Sequence, residues 1–350
     1  MKIRNLAIVL SCLLPLTAMA EAPKITGKPI IEQPPLLHWT LDYEKSKADL
    51  EEQTANRVND LHAGISQCDL VFSTAGNYNM ALKELFYDHF LKHNPEITNW
   101  FYTTSPPVSF QHAQTNEFTM GNFRSTCVPT VAAGPKKLME KLEKAGLLAS
   151  KPIPVIRNQG NVLLVKKGNP KNIKSIWDLG RPDVKVVTSN PYNEAGSFGN
   201  YSNSIYNIAA SEKSEKEAKE LFDSLFNGEQ GKWYAADRIH HRGVPWSVAY
   251  GHADAGPMFY HLALHSKRQF PDMFDIVPLG GTVEQPQAAK GNKIGTMFIA
   301  KLKGNDALTE SQKRYQEKFI QEFMTPEFTK ILEKHGLTRP PEFKEIALNM

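Results

Sequence analysis

Two short stretches of the chain carry residue types that could hold a small anion. The first is Ser73-Thr74-Ala75-Gly76-Asn77, set between the apolar Leu70-Val71-Phe72 and a run where Tyr78, Leu82, Leu85 and Phe86 recur at helical spacing. A strand that turns through small polar residues into a helix aims free backbone N–H groups, and the positive end of the helix dipole, at one point. Ser73, Thr74 and Asn77 add side-chain donors there. An ordinary strand-to-helix turn with a side-chain cap uses the same residues, so both readings stand. The second stretch is cationic: Arg238, His240, His241 and Arg242 form the densest basic cluster, just before Pro245, which marks the first turn of a helix. Arginine forks onto carboxylates and oxyanions, and histidine changes charge near neutrality. A solvated basic loop has the same composition. Neighbouring histidines point apart on a helix or a strand, so at most one of His240 and His241 would face a ligand.

Other chemistries find less support. His89 and His93 stand four apart on the first helix, and His261 and His265 would do so if their stretch were helical. Such spacing can hold zinc, yet neither pair has a third ligand beside it. No G-x-S-x-G elbow, H-E-x-x-H, C-x-x-C or P-loop occurs, so neither catalysis nor a cofactor is expected. Tyr201, Tyr206, Trp233, Trp246 and Tyr250 could line a cleft, though most of them would serve equally as core aromatics.

The elements that must position these residues begin after residue 20. Lys2 and Arg4, the apolar Leu6–Leu16 and Ala18-Met19-Ala20 read as a cleaved signal peptide, 1–20. Val9-Leu10-Ser11-Cys12 offers a loose lipoprotein alternative. The expected location is the periplasm, and no later stretch is long enough to span a bilayer. Loss of Lys2 and Arg4 takes the net charge from +4 to +2, since 1–20 holds no acid. With no basic run interleaved with aromatics, nucleic acid is not an expected partner. The 350 residues allow about two domains. Cys68 and Cys127 each precede a short apolar run, and an exported chain with two cysteines usually pairs them. If those runs are neighbouring parallel strands, a 68–127 disulfide follows; two buried thiols are the alternative.

Residues 21–40 are Pro-rich and read as an extended arm, and 42–65 as an amphipathic helix packed on from outside. Strands at 69–73, 97–104 and 128–133 then alternate with helices at 77–92 and 135–145, the pattern of a parallel α/β sheet. After an extended segment at 153–166 a second such run follows. It has a strand at 184–188, a Gly/Asn/Ser loop at 189–200, helices near 200–210 and 213–226, a loop at 238–244, a helix at 245–252 and a strand at 255–260. An extended stretch at 274–300 leads back, and helices at 308–323 and 326–335 close the chain.

Several stretches resemble the periplasmic molybdate-binding proteins of ABC transporters and their type II solute-binding relatives. VAAGPKKLMEKLEKAGLL at 131–148, NVLLVKKGNP at 161–170, IKSIWDLGRPDVKVV at 173–187, HADAGPMFY at 252–260 and FMTPEFTKILEKHGL at 323–337 follow the family's order. The resemblance implies an α/β protein of two lobes, the periplasmic binding protein type II fold, with two extended hinge crossings. Lobe I would be 66–155 and 285–350, lobe II 156–284, and 21–65 the arm and helix. It implies that Asn77 replaces a donor serine, with Ser73 and Thr74 close by, and that Ser105 is a second donor. It places Glu194, Ala195, Gly196 and Ser197 in the second-lobe loop and Phe259 at the ligand tyrosine, with Tyr260 beside it. His240 and Arg242 would stand at the cleft mouth. The expected function is capture of a small anion, a molybdate-like oxyanion or a small carboxylate, by a monomer serving an inner-membrane ABC permease. A histidine-based metal binder and a ligand-presenting sensory subunit are the alternatives.

Overall fold

The computed structural model describes residues 19–31, 61–63, 68–74, 76–103, 109–120, 123–228, 231–236 and 239–343. Most of the expected signal peptide, most of the expected 42–65 helix, Ser105 and Arg238 lie outside them.

The described part of the arm closes with strand β1 (Ile30–Ile31), and β2 (Leu61–Ala63) stands where the end of a helix was expected. A strand this short takes its conformation from the partner it pairs with, β4 (Trp100–Thr103), rather than from its own pattern. Between them lie β3 (Leu70–Ser73) and one continuous helix, α1, made of Gly76–Tyr78, Asn79–Lys83, Glu84–Phe90 and Leu91–His93. Its segment Glu84–Phe90 winds with the wider π pattern. Next come α2 (Ser109–Thr115), the hairpin β5 (Phe118–Met120) and β6 (Phe123–Ser125), β7 (Val131–Pro135), α3 (Lys136–Lys144) and β8 (Ile153–Arg157). The second run holds β9 (Asn161–Lys166), β10 (Val186–Thr188), α4 (Ala195–Glu212), α5 (Glu215–Phe226), β11 (Trp233–Ala235), α6 (His240–Ala249), β12 (Ala255–Phe259), α7 (Tyr260–Gln269) and β13 (Phe274–Pro278). The chain returns through β14 (Thr296–Lys301) to α8 (Glu310–Glu322) and α9 (Pro326–Lys334).

The strands form two six-stranded sheets, β2-β4-β3-β7-β14-β8 and β1-β11-β10-β12-β9-β13. The strands that alternate with helices are parallel as expected, β4-β3-β7 in one sheet and β11-β10-β12 in the other. Both sheets are nevertheless mixed, because the strands that follow the crossings run against their neighbours: β14 against β7 and β8, and β9 against β12 and β13. The two expected crossings are present at 157–161 and 278–296, and the passage from β1 to β2 makes a third.

Each sheet buries its own core. In the first, Phe72 stacks on Tyr102 at 5.4 Å and meets Phe319 of α8 edge-on at 4.9 Å. In the second, Phe226 meets Phe222 at 4.7 Å and Trp233 at 4.9 Å. Each such ring removed from water contributes roughly 1.5–3 kcal/mol. Cys68 and Cys127 are bonded, with Cα atoms 5.4 Å apart, and β3 and β7 are parallel neighbours as the sequence argument required. Thr309 and Gln312 form a capping box on α8, and Thr325 caps α9 with Pro326 behind it.

Two helices start earlier than the sequence suggested. α4 begins at Ala195, inside the expected loop 189–200, and α6 begins at His240, so Pro245 stands inside the helix instead of opening it. The candidate residues at 194–197 and 240–242 therefore sit on helix first turns.

Candidate functional site

Strands β10, β11 and β12 are parallel, and their C-terminal ends hand the chain to α4, α6 and α7, so three helix N-termini gather at one sheet edge. On the first sheet β3 hands the chain to α1 in the same way. The two edges meet. His261, second residue of α7, donates from Nε2 to the Asn77 carbonyl at 2.7 Å, and its ring lies on Tyr78 at 5.2 Å, tilted by 9°. Burial pushes the His261 pKa down to about 3 and the Tyr78 pKa up to about 12, so this contact between the lobes is neutral.

From His261 a chain of rings leads into the second lobe: Phe259 at 5.7 Å, then Tyr201 at 5.2 Å, then His240 at 5.6 Å. Glu194 precedes α4 and occupies its N-cap position, yet its carboxylate makes no cap there. It accepts instead from the backbone N–H of His240 at 2.9 Å and from His240 Nδ1 at 2.7 Å. One carboxylate thus caps α6 across 46 positions and leaves the first turn of α4 without a side-chain cap. Ala195 and Gly196 on that turn are exposed, and a Cβ added at Gly196 would meet nothing within 4 Å.

Polar atoms without partners collect around these helix starts. Ser73 Oγ at the end of β3, Ser189 Oγ after β10, the Tyr201 hydroxyl, His240 Nε2, His241 Nδ1 and His261 Nδ1 are all buried and unbonded. The Phe259 N–H stands beside the Tyr201 hydroxyl without reaching hydrogen-bond geometry. Burial, and after it the charge of Glu194, hold the Tyr201 pKa well above its ordinary value, so that hydroxyl stays a donor. Burial holds His241 far below its ordinary value and therefore neutral. A buried polar group left unpaired costs about 1–3 kcal/mol, so several of them in one place suit a polar occupant. Donors from backbone amides and hydroxyls, with few charges, can hold a dehydrated anion.

The structure links Glu194, His240 and Phe259 directly and Asn77 to them through His261, while Ser73 ends β3. Asn77 enters this arrangement through its carbonyl. Thr74 points its hydroxyl at Met297 Sδ, 3.8 Å away. Ser197 and Arg242 are half-buried on the first turns of α4 and α6. Phe259 has no polar side-chain atom and serves as a wall. Tyr260 does not join the set, because its hydroxyl donates to the Val283 carbonyl at 2.7 Å and its ring packs toward Gly336. Tyr206 and Trp233 belong to the core, and Tyr250 is exposed. His261 and His265 do fall on a helix, but among the described residues no three His, Cys, Asp or Glu side chains are placed to share a metal ion. Sequence reasoning weighed His261 only as a metal ligand. Only contacts between elements far apart in the chain reveal its place at the seam.

A tie between the crossings lies behind this site. Asn161 and Asn292 exchange hydrogen bonds at 2.8 and 2.9 Å, and Asn158 and Gly295 join at 3.0 Å. Asn161 also donates to Asn200 and Ser204 of α4 at 2.8 and 2.7 Å.

Residues 128–338, 211 of the 350, match the family model described as bacterial extracellular solute-binding protein. A sulfate-binding protein of Synechococcus elongatus is 28% identical over 102 residues, covering 27% of this chain and 29% of the relative. The molybdate-binding protein ModA of Mycobacterium tuberculosis is 33% identical over 90 residues, covering 26% of this chain and 34% of the relative. The matches thus span about a third of the length of these curated relatives. A transporter substrate-binding domain from Clostridium difficile shares the fold, with a TM-score of 0.52 at 16% identity over 77% of this chain and 98% of that one.

Proposed function

The chain belongs to the bacterial extracellular solute-binding proteins, and we propose that it captures a small anion between its two sheets and delivers it to an ABC permease. Membership makes it a binding protein rather than an enzyme. The proposed setting is the periplasm, after removal of residues 1–20. The proposed ligand is a molybdate-like oxyanion or a small carboxylate, a reading supported by the sulfate- and molybdate-binding relatives.

The observation that carries the proposal is that buried hydroxyls without a partner, those of Ser73, Ser189 and Tyr201, lie at the end of β3, just after β10 and within α4, while α4 starts without a side-chain cap. Ser73, the side-chain amide of Asn77, the backbone amides of Ala195, Gly196 and Ser197, and Tyr201 would form the cradle, with Arg242 supplying positive charge at its rim. Ser105 and Thr74 complete the proposed set. The test is thermal unfolding of the ligand-free protein against molybdate, sulfate, phosphate and small carboxylates. An anion at about 100 times its dissociation constant adds roughly 2.7 kcal/mol, which raises the midpoint by several degrees. No shift with any member of the panel would overturn the proposal.

A further inference from the structure

Residues 22–31 lie along α4, the end of α5 and the edge of β11 as an extended peptide lies in a binding groove. The Ala22 N–H donates to Asn203 Oδ1 of α4 at 2.9 Å. The N–H groups of Thr26 and Gly27 donate to Oδ1 of Asn227, the residue after α5, at 2.7 and 3.0 Å. Asn227 Nδ2 donates to Asp223 at 2.9 Å, which turns Oδ1 toward the arm. Ala22 and Ile25 pack on the second core, Lys24, Thr26 and Lys28 are exposed, and β1 pairs in parallel with β11. A Cβ at Gly27 would stand 1.8 Å from the Phe226 carbonyl oxygen, so a side chain there keeps the arm from seating. The groove thus reads an extended backbone with small or apolar side chains on its inner face, the mode by which a sheet edge takes up a separate strand.

Two observations make the arm a separable occupant. It leaves its groove partly filled: a cavity of about 330 Å³ lies between Gly27 and Trp233, and one of about 320 Å³ where Glu21 faces Asn207 and Lys293. It is also held on a long tether, since 29 residues, 32–60, join β1 to β2. Fully extended, they reach at most about 100 Å. That is several times the radius of gyration of a compact chain of this size, about 20 Å. We propose that the groove also takes the arm of a second copy of this chain, so that two copies exchange arms and form a closed dimer. The arm of another copy presents the same backbone and the same side chains, so the contacts are identical and only the tether decides between them. A tethered arm meets its own groove at an effective concentration of about a millimolar. The chain is therefore a monomer when dilute, and exchanges arms when concentrated or when its own arm fails to seat.

The test pairs two variants of the chain from Glu21 onward. In Gly27→Val the arm cannot seat and the groove is intact. In Asn203→Ala with Asn227→Ala the arm is intact and its seat is weakened. By light scattering at micromolar concentration each variant alone should be a monomer, and an equal mixture should contain a one-to-one dimer. A labelled peptide of residues 21–31 should bind the Gly27→Val protein, and bind the unaltered chain more weakly by about tenfold or more, because the resident arm competes. The unaltered chain should pass from monomer to dimer as its concentration nears a millimolar. Peptide binding with no dimer, in the mixture or in the concentrated chain, would overturn the exchange between copies. A Gly27→Val protein that melts cooperatively and binds neither peptide nor partner would overturn the groove as a binding site. Loss of cooperative melting in Gly27→Val would make the arm an inseparable part of the fold, and would overturn the inference as well.

Discussion

At the scale of single residues, the seam between the lobes is built from groups that stay neutral by burial. His261 titrates at 6.5 when unfolded and at about 3 in the native chain. Between those values the unfolded chain binds a proton that the native chain refuses. The His261 contribution to stability is therefore fully present above about pH 6.5 and is lost as pH falls toward about 3. His112, His241 and His265 are shifted in the same direction. The thermal midpoint should thus drop on going from about pH 7 to 5. In His261→Phe the midpoint at neutral pH should be lower, because the Asn77 carbonyl loses its donor, but its drop on acidification should be smaller. Equal drops in both proteins would argue against the buried neutral state. Ser73 gives the complementary case. Its hydroxyl is buried without a partner, so Ser73→Ala should change stability by less than about 1 kcal/mol in urea unfolding, while Ser73→Ala with Asn77→Ala should abolish anion-induced stabilisation. The place of Ser73 at a strand end could be read from the sequence because an apolar run leads straight into it. Tyr201 and His261 acquire their roles only through neighbours tens to hundreds of positions away.

At the scale of elements, the sequence was informative wherever a segment carries its own stop and start signals. Thr325, Pro326 and Gly336 marked the last helix to within a residue, and at α8, whose cap is Thr309, Thr309→Ala should cost about 1 kcal/mol in urea unfolding without altering anion binding. The expected strands at 69–73, 128–133, 184–188 and 255–260 overlap the observed β3, β7, β10 and β12. The start of α6 was hidden because its cap is Glu194, on a different loop, while Pro245 offered a false local signal. The start of α4 was hidden because Gly196, Gly199 and the Ser and Asn residues around them are weak helix formers, and packing of Phe198, Tyr201 and Ile205 overrides that preference. The crossing at 157–161 depends on Gly160, which has φ +84 and would place a Cβ 2.9 Å from Ala288 Cβ and 3.0 Å from Asn292. Gly160→Ala should therefore destabilise the protein by about 1–3 kcal/mol, read from the urea midpoint. An unchanged midpoint would mean that the tie between the crossings yields more readily than its hydrogen bonds imply.

At the scale of the whole molecule, two separate cores are joined by crossings and stapled within the first lobe by Cys68–Cys127, across a sequence separation of 59. A loop of that length gives the disulfide about 4 kcal/mol on the chain-entropy account, so reductant should lower the melting midpoint by several degrees. If reduction leaves it unmoved, the staple holds together what packing already fixes. The arm has a different consequence. Ala22 donates to Asn203, Thr26 and Gly27 donate to Asn227, and Ile30 pairs with Tyr234. The first described residues are therefore anchored on a surface that leaves the ribosome roughly 200 residues later. The second sheet, apart from β1, comes from the contiguous stretch 161–278, whereas the first needs β14 at 296–301. The arm closes the longest loop in its sheet and so docks late, after the surface it covers has formed. Until then, the edge of β11 stands open to any other extended chain that reaches it first.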